Sequence, residues 1–246
     1  MNFTRPLGVI FAAAMGFSPP TSADSKDPYA TRRTALLGEI AAMARATGYE
    51  TGYPVFSDPV MTAMGKVERH RFVPVAQERY AYENRPLPIG HGQTISQPYI
   101  VALMTELAQP KPGDVVLEVG TGSGYQAAVL AELAAKVYTI EIVEPVGKQG
   151  AANLEGAGYR NVYTRIGDGY HGWPEVAPFD SILVTAAAPE VPPALVEQLK
   201  PGGRLVIPVG GRWDVQELLV IVKNQDGSIT RKPTIPVRFV PLTRSK

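Results

Sequence analysis

Residues 115–134 read VVLEVGTGSGYQAAVLAELA, and residues 137–142 follow with VYTIEI. A short apolar run leads into glycines at every second position (Gly120, Gly122, Gly124), then into apolar residues at helical spacing, then into a second apolar run. That order is strand, turn, helix, strand, the βαβ unit of an α/β protein. Such a turn lies at the carboxyl edge of a parallel sheet, where missing side chains let a ligand touch the backbone and the N–H groups of the next helix. A tight strand-to-helix turn with no ligand is the plainer account of the same glycines. The spacing is G-x-G-x-G, and Tyr125 stands where the dinucleotide pattern G-x-G-x-x-G has its third glycine, which weakens a reading as an NAD site.

Working outward, the alternation continues with a helix over roughly 145–157, strands near 161–166 and 180–186, a helix near 190–199 and a strand over 204–210. Alternating β and α segments imply a parallel sheet covered on both faces. Two further strands, roughly 215–223 and 235–241, are joined through NQDGS, an Asp-Gly hairpin signal, and therefore run antiparallel at the edge. The expected fold is α/β: a doubly wound, mostly parallel seven-stranded Rossmann-like sheet with an antiparallel edge hairpin. Ahead of it lies a helical preface. Helices are expected over 31–47, ended by Gly48, over Asp58–Val67, with Asp58 as N-cap and Pro59 at the first helical position, and over Tyr99–Ala108, with residues 90–98 as a loop. Natural divisions are 1–27, 28–112 and 113–246, the last two forming one compact unit.

Composition narrows the function classes. Lys plus Arg (24) against Asp plus Glu (23) leaves a formal charge of +1, so no global field recruits nucleic acid or an anionic membrane. The absence of cysteine removes disulfides, thiolate metal sites and a cysteine nucleophile, and His70, His91 and His171 are scattered, so no metal is expected. Residues 1–27 stand apart: Arg5 precedes LGVIFAAAMGF (7–17), and Thr21-Ser22-Ala23 matches a cleavage box, so the segment reads either as a signal peptide or as a disordered extension. Its apolar run is too short to span a membrane.

Two acids complete the residue-level picture. Glu141 closes the second strand about twenty residues after the first glycine, where a carboxylate accepts both hydroxyl hydrogens of a ribose; a free 2′-hydroxyl is then required, which disfavours NADP. Asp168, between Gly167 and Gly169, either accepts from an adenine amino group or closes an Asx turn.

E-x-G-x-G-x-G, the acid after the second strand, G-D-G and LKPGGRL together resemble the class I S-adenosylmethionine-dependent methyltransferases. LPIGHGQTISQPYIVALM, FDSILVTAAAPEVPPAL, GGRLVIPVG and VRFVPLT extend the resemblance, from about residue 35 to 243, to the protein-L-isoaspartate O-methyltransferase family. The resemblance implies methyl transfer from S-adenosylmethionine to the free α-carboxylate of an L-isoaspartyl residue, leaving S-adenosylhomocysteine. The ester then cyclises to a succinimide, and hydrolysis returns some aspartate. It also implies roles: Ser96 positions the carboxylate; Thr94 and Ile95 line the cofactor; Glu118, Gly120 and Gly122 face its methionine moiety; Glu141 holds the ribose; Asp168 and Gly169 meet the adenine; Thr243 contacts the cofactor; and Pro208 and Val209 present backbone to the damaged peptide. Isoaspartyl proteins are the implied partners, and the family implies a cytoplasmic monomer, with an exported or periplasmic protein as the alternative should residues 1–23 be cleaved. An NAD-linked oxidoreductase and a catalytically inactive binding protein on the same fold are the competing readings.

A carboxylate is already ionised at neutral pH, so this chemistry requires no base, and none is evident in the chain. His91, between two glycines, can touch substrate without acting as a base. Gly147 and Gly150 are expected to weaken the helix after Glu141 by roughly 1 kcal/mol each.

Overall fold

A computed structural model describes Met1, residues 27–211 and residues 215–244. The expected leader features at 7–17 and 21–23 lie outside the described residues. The chain forms an α/β fold around a seven-stranded sheet. Its strands are β3 (Val115–Val119), β4 (Lys136–Glu141), β5 (Val162–Ile166), β6 (Phe179–Val184), β7 (Leu199–Val209), β8 (Gln216–Lys223) and β9 (Ile229–Val237), in the order β5-β4-β3-β6-β7-β8-β9. β5 to β7 pair in parallel, whereas β7–β8 and β8–β9 are antiparallel. The chain leaves β3 toward β4 and β5, then returns to place β6 on its other side, so the connections diverge between β3 and β6. A crevice opens beyond the carboxyl ends of strands at such a point.

Period-two burial explains why the strands read as continuous apolar runs. Val116, Val137, Leu183 and Val206 enter one core with the preface helices, while Leu117, Ile140, Ile182, Leu205 and Ile207 enter a second on the opposite face. Covering both faces removes the polar alternation of a half-exposed sheet. Across the sheet lie α5 (Tyr125–Ala131), α6 (Glu144–Gly156) and α7 (Pro193–Glu197).

The preface departs from expectation in three places. The first helix α1 (Ala30–Ala46) is followed directly by α2 (Gly48–Thr51), and the helical path ends at Gly52, whose φ is +81°. Gly48 is there for close approach: a Cβ on it would lie 2.5 Å from the Cβ of Pro54. In α3 (Asp58–Lys66) Ser57, not Asp58, is the N-cap, and its side chain caps nothing, because its hydroxyl donates to Glu106 instead. Residues 87–95 form a hairpin, β1 (Leu87–Gly90) and β2 (Gln93–Ile95), turning through His91 (φ +51°) and Gly92 (φ +72°). α4 (Pro98–Ala108) is buried along almost its whole length, fixing the hairpin's base against the sheet. Near the other edge, β9 occupies 229–237 rather than 235–241, because the Asp-Gly turn closes immediately and the strand starts at once.

Candidate active site

At the carboxyl edge of β3, β4 and β6 the glycine turn, the Ile140–Val143 segment, β2, Gly169, Thr185 and the Val240–Thr243 strap line one crevice. The three turn glycines have different physical causes. Gly120 (φ +104°) leaves room for Thr185, whose hydroxyl would sit 2.4 Å from an added Cβ and donates to the carbonyls of Val119 and Gly120. Gly124 (φ +90°) leaves room for Leu154 of α6. A Cβ on Gly122 (φ +53°) would meet nothing nearer than 3.8 Å, so this is the glycine that opens onto the crevice.

α6 must approach this turn closely, which revises the reading of Gly147 and Gly150. A Cβ at Gly150 would lie 2.6 Å from the carbonyl oxygen of Gly122, and one at Gly147 would lie 2.4 Å from Ile166 and 3.0 Å from Glu141. These glycines weaken an isolated helix, yet they are what lets this one dock against the site.

Glu141 is nearly buried and well supported: Oε2 accepts from the Gly122 N–H and Oε1 from the Val143 N–H, both at 2.9 Å. A carboxylate offers about four acceptor positions, so two remain for incoming donors. Glu118 is fully buried, accepts a short hydrogen bond from the Thr139 hydroxyl through Oε2, and has no partner at Oε1. With no cationic partner beside it among the described residues, burial pushes its carboxyl up to about 8. An orphaned acceptor on a crevice wall, beside an open glycine and a carboxylate with two free positions, suits a ligand with an ammonium group and a vicinal diol.

Gly169 also lines the crevice, its missing Cβ leaving room for Val119. Asp168 turns Oδ1 back to accept from the Tyr170 N–H at 2.9 Å, so its Asx turn is formed. The C-terminal strap is carried over the rim by two backbone hydrogen bonds, Ala187 N–H to the Val240 carbonyl and Leu242 N–H to the Ala187 carbonyl, and this brings Thr243 to the crevice. No histidine lines the crevice: His91 is exposed on the hairpin, His70 pairs with Tyr82, and His171 is exposed. Among the described residues no group of His, Cys, Asp and Glu is arranged to hold a metal, and no helix is long and apolar enough to cross a membrane.

A second, open groove adjoins the first along Thr94, Ser96 and Thr185. Its walls are Pro86, Gln97 and Ile100 on one side and Val215 with Pro236–Val240 on the other. Pro208 and Val209 reach neither cavity. Pro208 is buried with its carbonyl taken by the Ala188 N–H, and Val209 bridges Ala188. The end of β9 supplies the groove wall instead. Sequence reasoning also passed over Thr185, whose signal is a hydroxyl directly after the apolar run ILV (182–184).

The comparisons agree with one another. The family model described as "Protein-L-isoaspartate(D-aspartate) O-methyltransferase (PCMT)" matches residues 49–246. Protein-L-isoaspartate O-methyltransferase 1 of Cupriavidus necator is 56% identical over 239 residues, covering 97% of this chain and 92% of that protein. Protein-L-isoaspartate O-methyltransferase 2 of a Polaromonas species is 62% identical over 208 residues, covering 85% and 99%. A Plasmodium falciparum crystal structure, described as a protein-L-isoaspartate O-methyltransferase in complex with S-adenosyl-L-homocysteine, superposes with a TM-score of 0.74 at 25% identity over 87% of this chain and 99% of that one. The chain belongs to the protein-L-isoaspartate(D-aspartate) O-methyltransferase family.

Proposed function

We propose that the crevice holds S-adenosylmethionine and that the adjoining groove holds a damaged polypeptide, so that the chain esterifies the α-carboxylate of L-isoaspartyl residues. The observation that carries this reading is the shared wall: Thr94, Ser96, Thr185 and Val240 border both cavities, and Thr94 and Ser96 present neutral hydroxyls there, while the Thr185 hydroxyl is held by the Val119 and Gly120 carbonyls. When bound, S-adenosylmethionine supplies an electrophilic methyl group on a sulfonium.

Glu118 takes the methionine ammonium, Gly122 and Gly120 give the backbone room beside it, and Glu141 accepts from the ribose hydroxyls. Gly169 and Asp168 flank the adenine, while Ile95, Thr94 and Thr243 close over the cofactor. Ser96 donates to the acceptor carboxylate. Pro208 and Val209 act on the peptide at most from behind, through Ala188.

Neutral donors suit this reaction because the nucleophile is an anion that loses charge as the bond forms. A lysine or arginine touching it would stabilise the ground state more than the transition state. No proton has to be removed, so the chain's task is to hold the two partners in line, a contribution worth up to roughly 7–11 kcal/mol in intramolecular models. Action as a monomer in the cytoplasm on proteins rather than nucleic acids belongs to the same proposal; sedimentation and cell fractionation test its first two parts.

Labelled S-adenosylmethionine with matched isoaspartyl and aspartyl peptides is the direct test. Alkali-labile label is expected on the isoaspartyl peptide alone, and equal labelling of both would overturn the reading.

A further inference from the structure

Arg69 is fully buried, on a 3-10 turn (Arg69–Phe72) behind the site. A buried guanidinium costs several kcal/mol unless a carboxylate compensates it, and Arg69 is in no ion pair with any described residue. Burial lowers its guanidinium to about 10, which still leaves it cationic at neutral pH. Its compensation comes from two unusual partners. Nη2 donates to the Ser96 carbonyl at 2.8 Å, and the guanidinium carbon lies 4.7 Å from the ring centroid of Tyr125. Nε and Nη1 have no partner. A cation buried with so little compensation costs the fold stability.

Both partners line the crevice. Tyr125 is the first residue of α5 and follows Gly124 directly; Ser96 directly follows β2 of the hairpin and borders both cavities. We infer that Arg69 is a positioning residue that fixes the Ser96 segment against the first turn of α5, setting the distance between acceptor and cofactor without touching either. A planar guanidinium can lie over a ring and aim an N–H along its own plane at a carbonyl, which an ammonium cannot do. The inference rests on the reading that Ser96 places the acceptor carboxylate.

The test uses the full chain as Arg69→Met, Arg69→Lys and Ser96→Ala. Calorimetry with S-adenosylhomocysteine counts competent sites, and kcat at saturating S-adenosylmethionine and isoaspartyl peptide is expressed per site. Arg69→Met is expected to lose tenfold to roughly a hundredfold in kcat per site, the scale of a misplacement near 1 Å, with S-adenosylhomocysteine affinity within about twofold of wild type. Arg69→Lys is expected to lose at least about threefold for want of the planar fork; should the methionine variant not fold, the lysine variant carries the test alone. A merely structural role would lower the number of sites and leave turnover per site intact. Wild-type turnover per site in either arginine variant overturns the inference, whatever Ser96→Ala does. Impaired arginine variants beside a fully active Ser96→Ala would support the positioning of the segment and overturn the role of the Ser96 hydroxyl.

Discussion

The floor of the crevice and its lip handle charge in opposite ways. On the floor, Glu118 and Glu141 lie at the carboxyl ends of neighbouring strands; one is orphaned at an oxygen and raised by burial, the other is held by two backbone N–H groups. Among its described residues the lip has no acid; its inner wall carries hydroxyls, and behind them a buried cation donates to a carbonyl and lies over a ring. The floor is built to receive donors from a ligand. The lip's inner wall offers neutral hydroxyls, with formal charge kept behind it at Arg69 and on its outer side at Arg238. A reaction between a sulfonium and a carboxylate needs that division, because charge placed directly against either reactant would favour the state before transfer.

The largest expected effect tests the floor through pH. The Glu118 carboxyl stands at about 8 when folded against 4.5 as an ordinary carboxyl. Between those values the unfolded chain binds fewer protons than the folded one, so stability without ligand falls as pH rises from about 5 to about 8, by several kcal/mol. Glu118→Gln should flatten that slope in urea melts. A wild-type slope that matches the variant's would show that Glu118 is not the protonated group.

Next in size is Glu141→Ala, which leaves two backbone N–H groups unmatched and removes both free acceptor positions. Each charge-assisted hydrogen bond to a ligand is worth about 1.5–3 kcal/mol, so with two lost S-adenosylhomocysteine affinity should fall by at least about a hundredfold by calorimetry. Affinity within threefold of wild type would break the ribose assignment. The glycines sharpen the same floor at a smaller scale. Gly150→Ala drives a methyl group into the Gly122 carbonyl and should cost about 1–3 kcal/mol of stability. Gly122→Ala meets open space and strains only its positive φ, so it should weaken cofactor binding more than it weakens the fold. Equal losses of stability at the two positions would mean that Gly122 does not open onto the ligand.

The floor was legible in the sequence and the lip much less so. VVLEVG and VYTIEI carry their strands in local pattern, the glycines mark the turn, and Glu141 follows from its place at a strand end. What the pattern could not say was that Gly147 and Gly150 are docking surfaces, since that depends on which helix crosses which turn. The hairpin 87–95 was missed because Pro88, Gly90 and Gly92 weaken any strand signal and its register includes a bulge. Arg69 sits in VERHRFVP among ordinary surface charges, and nothing within that stretch distinguishes the one charged side chain that the fold buries. Similarly, the upward shift of the Glu118 carboxyl arises from burial by elements far apart in sequence.

The smallest expected effect lies on the lip's outer side. Arg238 carries the only charge among the described residues of the groove, which is otherwise lined by apolar side chains and neutral hydroxyl or amide groups. It is exposed, so its field is screened and its pair energy with a peptide side chain belongs to the range of about 0.2–1 kcal/mol. Peptides with glutamate beside the isoaspartyl residue should therefore show a KM about two- to fivefold below that of lysine peptides. The ratio should shrink toward one in Arg238→Gln, and also in wild type as salt rises, because the Debye length falls to about 3 Å at 1 M. kcat should not change, since the charge sits outside the shared wall of Thr94, Ser96 and Thr185. A glutamate-to-lysine ratio that survives both Arg238→Gln and high salt would place the peptide on a path that does not pass this groove, and the groove's assignment to the substrate would fall with it.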